Sequence, residues 1–269
     1  MKSVNHTDKN PKQNVIAIIP ARFHSTRLPG KMLLPLAGKP LILHTFERAK
    51  EAKNISRVIV ATDDQRIVQI VRETGGEAVL TNINHQSGSD RVAEVAANLP
   101  ADSIIVNVQG DEPLIPPNTI ERAVAAMLQN DSADIVTTCE PIMDFKNVLS
   151  ANVVKIVTDE SGFALYFSRS PIPYPRDAVN KFGSLEKAFQ ADKTLLTIFR
   201  KHTGLYVYRR EFLLKFTNLP QSNLEKLESL EQLRAMEHGA KIKVIEVAES
   251  SIGVDTPQDF ERVRQILEK

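Results

Sequence analysis

Across residues 15–140, short apolar runs alternate with helical patterns, and this alternation restricts the fold more than any other feature of the chain. "NVIAIIP", "RVIVAT", "EAVL", "SIIVNVQ" and "DIVTTCE" read as strands. Between them, "PLILHTFERAKEA", "DDQRIVQIVRETGG", "SDRVAEVAANL" and "PPNTIERAVAAMLQN" carry apolar residues at helical spacing. The strands are apolar throughout rather than alternating, so both of their faces must be covered. Strand and helix in succession then predict an α/β fold: a Rossmann-like, mostly parallel sheet flanked by helices. A double glycine at Gly75 closes one helix, and Ser89 or Asp90 offers the next one an N-cap.

From about residue 141 the pattern changes. "VVKIVTD", "FALYFSR" and "HTGLYVYRR" read as longer, half-exposed strands. Residues 170–201 are rich in proline and charge; "SPIPYPR" is incompatible with a helix. The stretch reads as a mobile loop followed by a helix around 185–190. "NLEKLESLEQLRAMEHG" reads as one amphipathic helix ending at Gly239, with Leu224, Leu227, Leu230 and Leu233 on its apolar stripe. "KIKVIEV" is a strand. "DTPQDFERVRQILEK" is a closing helix, with Thr256 as N-cap, Pro257 first and Asp259 completing a capping box. No composition break marks a linker. The expected organisation is a disordered polar lead over residues 1–14, without the apolar centre of a signal peptide, and a single domain over 15–269.

The 269 residues carry a net charge of +1, so no general basic field exists and nucleic acid is not an expected partner. The single cysteine, Cys139, excludes an internal disulfide framework and a cysteine zinc site, and fits a reducing cytoplasm. No apolar run reaches the roughly 20 residues that span a bilayer, so no integral membrane contact is expected.

Against that neutral background the loop "IPARFHSTRLPGKMLLPLAGKP" concentrates Arg22, His24, Arg27, Lys31 and Lys39. It follows the first strand, where open α/β sheets bind ligands. It matches neither GxGxxG nor the P-loop. From charge alone it reads equally as a solvated basic loop or as a triphosphate cradle. "VNVQGDEP" places Asp111 just past another strand end, as a turn residue or as an oxygen ligand for magnesium. "GVDTP" places Asp255 before a helix, as a dipole partner or a second ligand. "HQSGSDR" is a helix N-terminus with hydroxyls at Ser87 and Ser89 and close backbone access at Gly88. Glu231 and Gln232 read as a solvated helix face or as ligand contacts, and His202 as structural or as a contact.

The spacing of "IPARFHSTRLPGK" resembles the signature loop of cytidylyltransferases that activate acidic sugars. The likeness continues through "HQSGSDRVAEV", "VNVQGDEPLI", "ALYFSRSPIPYPR", "HTGLYVYRR", "LESLEQLRAMEHG" and "GVDTPQDFERV", nearly the whole chain. The resemblance, strongest to the branch acting on 3-deoxy-manno-octulosonate (Kdo), implies a nucleotide-diphospho-sugar-transferase-like fold. It implies CMP transfer from CTP to the anomeric 2-hydroxyl of a 2-keto-3-deoxy sugar acid, with Kdo, its 8-amino analogue or an N-acylneuraminate as acceptor, and no covalent intermediate. A non-catalytic nucleotide-sugar binder is the rival class; the presence of all five of Arg22, Arg27, Lys31, Asp111 and Asp255 speaks against it.

Residue by residue, the resemblance makes Pro20, Ala21, Arg22, Arg27, Lys31, Ser87, Gly88 and Gln109 nucleotide-binding. Arg91, Gln109, His202, Tyr206, Glu231 and Gln232 become sugar-binding, with Tyr208 on the same strand. Asp111 and Asp255 hold Mg2+, and Arg22, Lys31 and Asp111 are catalytic. His24 and Lys39 are bystanders. Residue 89 is usually threonine in the family, and serine keeps the hydroxyl. The front half, about 15–140, is expected to bind CTP. The rear half, about 141–269, is expected to bind the sugar and to form a homodimer, with CMP-Kdo going to lipopolysaccharide.

Overall fold

In the computed structural model, residues 14–25, 27–248 and 251–268 are described; the expected lead, Asn14 apart, lies outside them. The front half runs β1 (Val15–Ala21), a small hairpin of β2 (Pro35–Leu36) and β3 (Lys39–Pro40), α1 (Leu41–Glu51), β4 (Arg57–Thr62), α2 (Gln65–Glu73), β5 (Glu77–Leu80), α3 (Gly88–Ala96), β6 (Ile104–Asn107), α4 (Pro117–Gln129) and β7 (Ile135–Pro141). The rear half adds α5 (Phe145–Leu149), β8 (Lys155–Thr158), β9 (Ala164–Ser168), α6 (Arg176–Phe182), α7 (Leu185–Ala191), β10 (Arg200–Arg209), α8 (Arg210–Thr217), α9 (Asn223–Glu228), α10 (Glu231–Glu237), β11 (Ile242–Glu246) and α11 (Pro257–Leu267).

The main sheet has the order β11-β7-β10-β6-β1-β4-β5, with the β8–β9 hairpin attached through β10. β6, β1, β4 and β5 are parallel, as are β11 and β7. The expected mostly parallel sheet is present, and its central strands β1, β4, β6 and β7 are buried on both faces. Val15, Ala17, Ile19 and Ala21 of β1 face α1, α4 and α11, while Ile16 and Ile18 face α3 and α8. Each such isoleucine contributes about 2–3 kcal/mol by leaving water. A third, small cluster of Ile142, Val148, Phe189 and Phe199 lies under α5–α7.

β10 lies in the middle of the sheet, antiparallel to both β6 and β7. Its Tyr206 pairs with Asn107, the last residue of β6, and a register shift between Thr203 and Tyr206 follows. Beyond the shift β10 pairs only with β7 and β8. The sheet therefore parts at the carboxyl end of β6, and the "VQGD" turn rises into the gap.

Three expectations need correction. The N-cap of α3 is Ser87: its Oγ accepts the Asp90 N–H while the Asp90 carboxylate accepts the Ser87 N–H, which leaves Ser89 free for another partner. The helix expected to end at Gly239 is two helices, broken at Ser229, whose φ is 51°. Leu227 of the supposed stripe is 81% exposed, whereas Leu230 and Leu233 are buried, so one continuous stripe does not exist. Residues 176–198 are not a loop with a single helix: α6, α7 and a 3-10 helix (Lys193–Ile198) fill them. α6 buries no residue, so it has no apolar period to read. The capping box of α11, Thr256 with Asp259, is formed as expected.

Candidate active site

At the carboxyl ends of β1 and β6, a cleft of about 320 Å³ is lined by Pro20, Arg22, Arg27, Lys31, Ser87, Gly88, Arg91, Gln109, Asp111 and Asp255. Residues far apart in sequence thus meet as expected. The loop after β1 bends at Gly30 (φ 65°), where a side chain would crowd Phe23. Gly110 is needed for contact: an added Cβ there would lie 2.8 Å from the Pro20 carbonyl oxygen. The "VQGD" turn therefore lies directly against the start of the cationic loop.

Lys31 is the centre of the site. Its side chain is 8% exposed, and its ammonium donates to Asp111 Oδ2 at 2.6 Å, to the Val254 carbonyl at 3.0 Å and to Asp255 Oδ1 at 3.1 Å. Those three acceptors use all three of its protons. Arg27 Nη2 lies 3.1 Å from the same Asp255 oxygen, and Arg22 is exposed along the cleft. Asp255 is presented by the N-terminus of α11, whose capping box fixes the preceding backbone.

The donor set fits a divalent cation. Two carboxylates from distant chain segments converge on the Lys31 ammonium, one of them also meeting Arg27. Hard oxygen ligands of this kind, completed by phosphate oxygens, suit magnesium. No group of three or more His, Cys, Asp or Glu side chains suited to a metal exists among the described residues.

Arg91 reaches the cleft floor, but its guanidinium is held from behind. Nη2 donates to Asp63 Oδ2 at 2.9 Å and Nη1 to Thr81 Oγ1. Gln109 packs against Gly204, donates to Asn107 Oδ1 at 2.9 Å, and also lines a second hollow of about 610 Å³ that includes His202, Glu112 and Asp255. Ala21 turns into the core and is not a lining residue.

The remaining residues expected to read the sugar divide into two groups. His202 stands against Phe167 and Tyr206, with ring centroids 5.0 and 5.4 Å apart, and Tyr206 stacks on Tyr208. Burial, with Lys201 adding to it, pushes the His202 pKa down to about 3, so the ring is neutral at physiological pH. Thr137 Oγ1 donates to the Leu205 carbonyl at 2.8 Å and lies 2.9 Å from His202 Nε2. The hydroxyl has one proton, so Nε2 is assigned as the donor and Nδ1 is left an acceptor. Glu231 lies across α3: Oε2 accepts the Ser89 hydroxyl at 2.8 Å and Oε1 accepts from Arg234 at 3.0 Å. Burial holds its carboxyl above the usual range, opposed by the Ser89 bond. Gln232 beside it is buried.

His24 and Lys39 do not line the cleft; Lys39 pairs with Glu47. The segment "HQSGSDR" was marked in the sequence without singling out His85 and Gln86, which do line the cleft, whereas Asp63 behind it was missed. A signal for Asp63 was present in "TDDQ": two carboxylates stand where a helix start needs one.

A model of the cytidylyltransferase family matches residues 16–242. The chain belongs to the cytidylyltransferase family. A 3-deoxy-manno-octulosonate cytidylyltransferase of Geobacter sulfurreducens is 52% identical over 94% of this chain and 99% of its own. One of Solibacter usitatus is 45% identical over 95% of each chain. Among solved structures, a CMP:2-keto-3-deoxy-manno-octonic acid synthetase complexed with CTP superposes with a TM-score of 0.85 at 41% identity, covering 95% of this chain and 98% of that one. A 4-diphosphocytidyl-2C-methyl-D-erythritol synthase of Anaerococcus prevotii, 15% identical with a TM-score of 0.61, shares the fold.

Proposed function

We propose that the protein transfers CMP from CTP to the anomeric 2-hydroxyl of Kdo. The observation that carries this reading is the convergence of Arg22, Arg27, Lys31, Asp111 and Asp255 on one cleft, in a chain about half identical to Kdo cytidylyltransferases over nearly its whole length. The sugar oxygen forms a bond to the α-phosphorus of CTP, the bond from that phosphorus to the bridging oxygen breaks, and pyrophosphate leaves while the hydroxyl proton passes to solvent. Asp111 and Asp255 would hold magnesium, which would supply charge neutralisation at the phosphates and lower the pKa of the attacking hydroxyl. Arg22 and Lys31 offset charge growing on the reacting phosphate, and Arg27 holds the β- and γ-phosphates. Pro20, Ser87, Gly88 and Gln109 bound the nucleotide, with Ala21 contributing through its backbone. Arg91 binds the acceptor carboxylate, and His202, Tyr206, Glu231 and Gln232 read its hydroxyls, a pattern that rejects acceptors lacking them.

The front half serves CTP. The rear half serves the sugar and a homodimer, a reading supported by the exposed apolar side chains of Met143, Leu149, Leu165, Tyr174 and Ile198. Among the described residues no helix is long and apolar enough to cross a membrane; a cytoplasmic enzyme supplying CMP-Kdo for lipopolysaccharide is the matching role. The test is pyrophosphate release with CTP, UTP or ATP against Kdo, 8-amino-Kdo or N-acetylneuraminate, with and without magnesium. CTP with Kdo and magnesium is expected to give the highest kcat/KM; a higher value for another acceptor overturns the assignment.

A further inference from the structure

Asp63 is the first residue after β4, and β4 lies beside β1 with Ala21 opposite Thr62. That register sets Asp63 next to the start of the cationic loop. Its Oδ1 accepts the Phe23 backbone N–H at 2.9 Å, one residue beyond Arg22. Its Oδ2 accepts Arg91 Nη2 at 2.9 Å. The carboxylate is 6% exposed and the Arg91 side chain 4%. Helix capping does not explain it, because Asp64 accepts the Arg66 N–H and caps α2. Two further contacts fix the same loop: the Arg66 guanidinium stacks 3.9 Å from the centre of the Phe23 ring, and Gly30 lies under that ring. Thr81, which braces the other Arg91 nitrogen, is itself anchored by donating to the Thr62 carbonyl at 2.9 Å.

We propose that Asp63 is a positioning residue that sets both walls of the cleft at once, aiming the phosphate loop through the Phe23 amide and the Arg91 guanidinium through its second oxygen. A buried carboxylate that holds a backbone donor and an arginine in fixed directions keeps both pre-organised before either substrate arrives. The Arg91 half of this inference rests on the reading of Arg91 as an acceptor contact; the loop half does not.

The two halves separate by substitution. Asp63→Asn keeps an oxygen for the Phe23 N–H but removes the charge facing Arg91. It is expected to leave the Kd for CTP, measured by calorimetry without acceptor, within about twofold of the wild type and to raise the acceptor KM about tenfold. Asp63→Ala removes both bonds and is expected to weaken CTP binding about tenfold as well. Thr81→Val, close in shape, keeps the fold if the alanine variant does not, and raises the acceptor KM by a smaller factor with CTP binding unchanged. In an Arg91→Met background, Asp63→Asn is expected to add little to the acceptor KM, because its effect runs through that side chain. Folded Asp63 variants, and Thr81→Val, with wild-type Kd for CTP and acceptor KM overturn the proposal. An unchanged acceptor KM in Arg91→Met alone sinks the acceptor reading of Arg91, while the CTP Kd of Asp63→Ala still decides the loop half.

Discussion

At His202 the surroundings decide the charge. The ring lies between Phe167 and Tyr206 and is held at a pKa of about 3, against 6.5 for a free histidine. In the unfolded chain the same ring takes up a proton below about pH 6.5, whereas the folded chain refuses it until much lower. The unfolded state therefore binds more protons across that window, and the stability contributed by the neutral ring is lost as pH falls. His202→Gln is expected to flatten the pH dependence of unfolding between about 6.5 and 4 by at most about 1.4 kcal/mol per pH unit, measured by denaturant titration at a series of pH values. Asp111 is the second residue whose environment defines its work. Asp111→Asn keeps the shape of the turn but removes one of the two charges on the Lys31 ammonium. It is expected to retain the wild-type circular dichroism spectrum and to lose about two orders of magnitude in kcat.

Between elements, the closest approach is that of the "VQGD" turn to the end of β1. Gly110→Ala places a methyl 2.8 Å from the Pro20 carbonyl, backbone that neither strand end readily yields. The expected cost is about 1–3 kcal/mol of stability, with weaker CTP binding, read from thermal melts and calorimetry. The elements also show where the sequence was informative. The parallel front half was legible because its sheet-forming strands are mostly apolar and its helices have a 3.6-residue period, both local patterns. The insertion of β10 between β6 and β7 was not, because it depends on pairings between residues roughly 60–100 positions apart. The break at Ser229 was missed because four leucines kept the helical spacing while one of them, Leu227, faces solvent.

Over the whole molecule, the candidate site was legible where chemistry sits at strand ends: the cationic loop after β1, Asp111 after β6, Asp255 before α11. It was not legible where one side chain holds another across the fold. The Ser89–Glu231 bond spans 142 residues, and Asp63 reaches back 40 positions to Phe23. A single sequence carries no trace of such pairings beyond an unexplained extra carboxylate. The Lys31 ammonium between Asp111 and Asp255 has a further consequence, for the order in which ligands arrive. If Asp111 and Asp255 hold the metal as proposed, a protein cation and a dication would compete for the same two carboxylates, which the Lys31 ammonium already neutralises from within. Triphosphate oxygens would then offer that ammonium another partner and release the pair, coupling metal and nucleotide affinities reciprocally. Lys31→Met is therefore expected to bind Mn2+ at least about tenfold more tightly than the wild type in the absence of CTP, read by electron paramagnetic resonance, while binding CTP itself more weakly. Equal Mn2+ affinities in the two proteins would show that the ammonium and the dication do not compete.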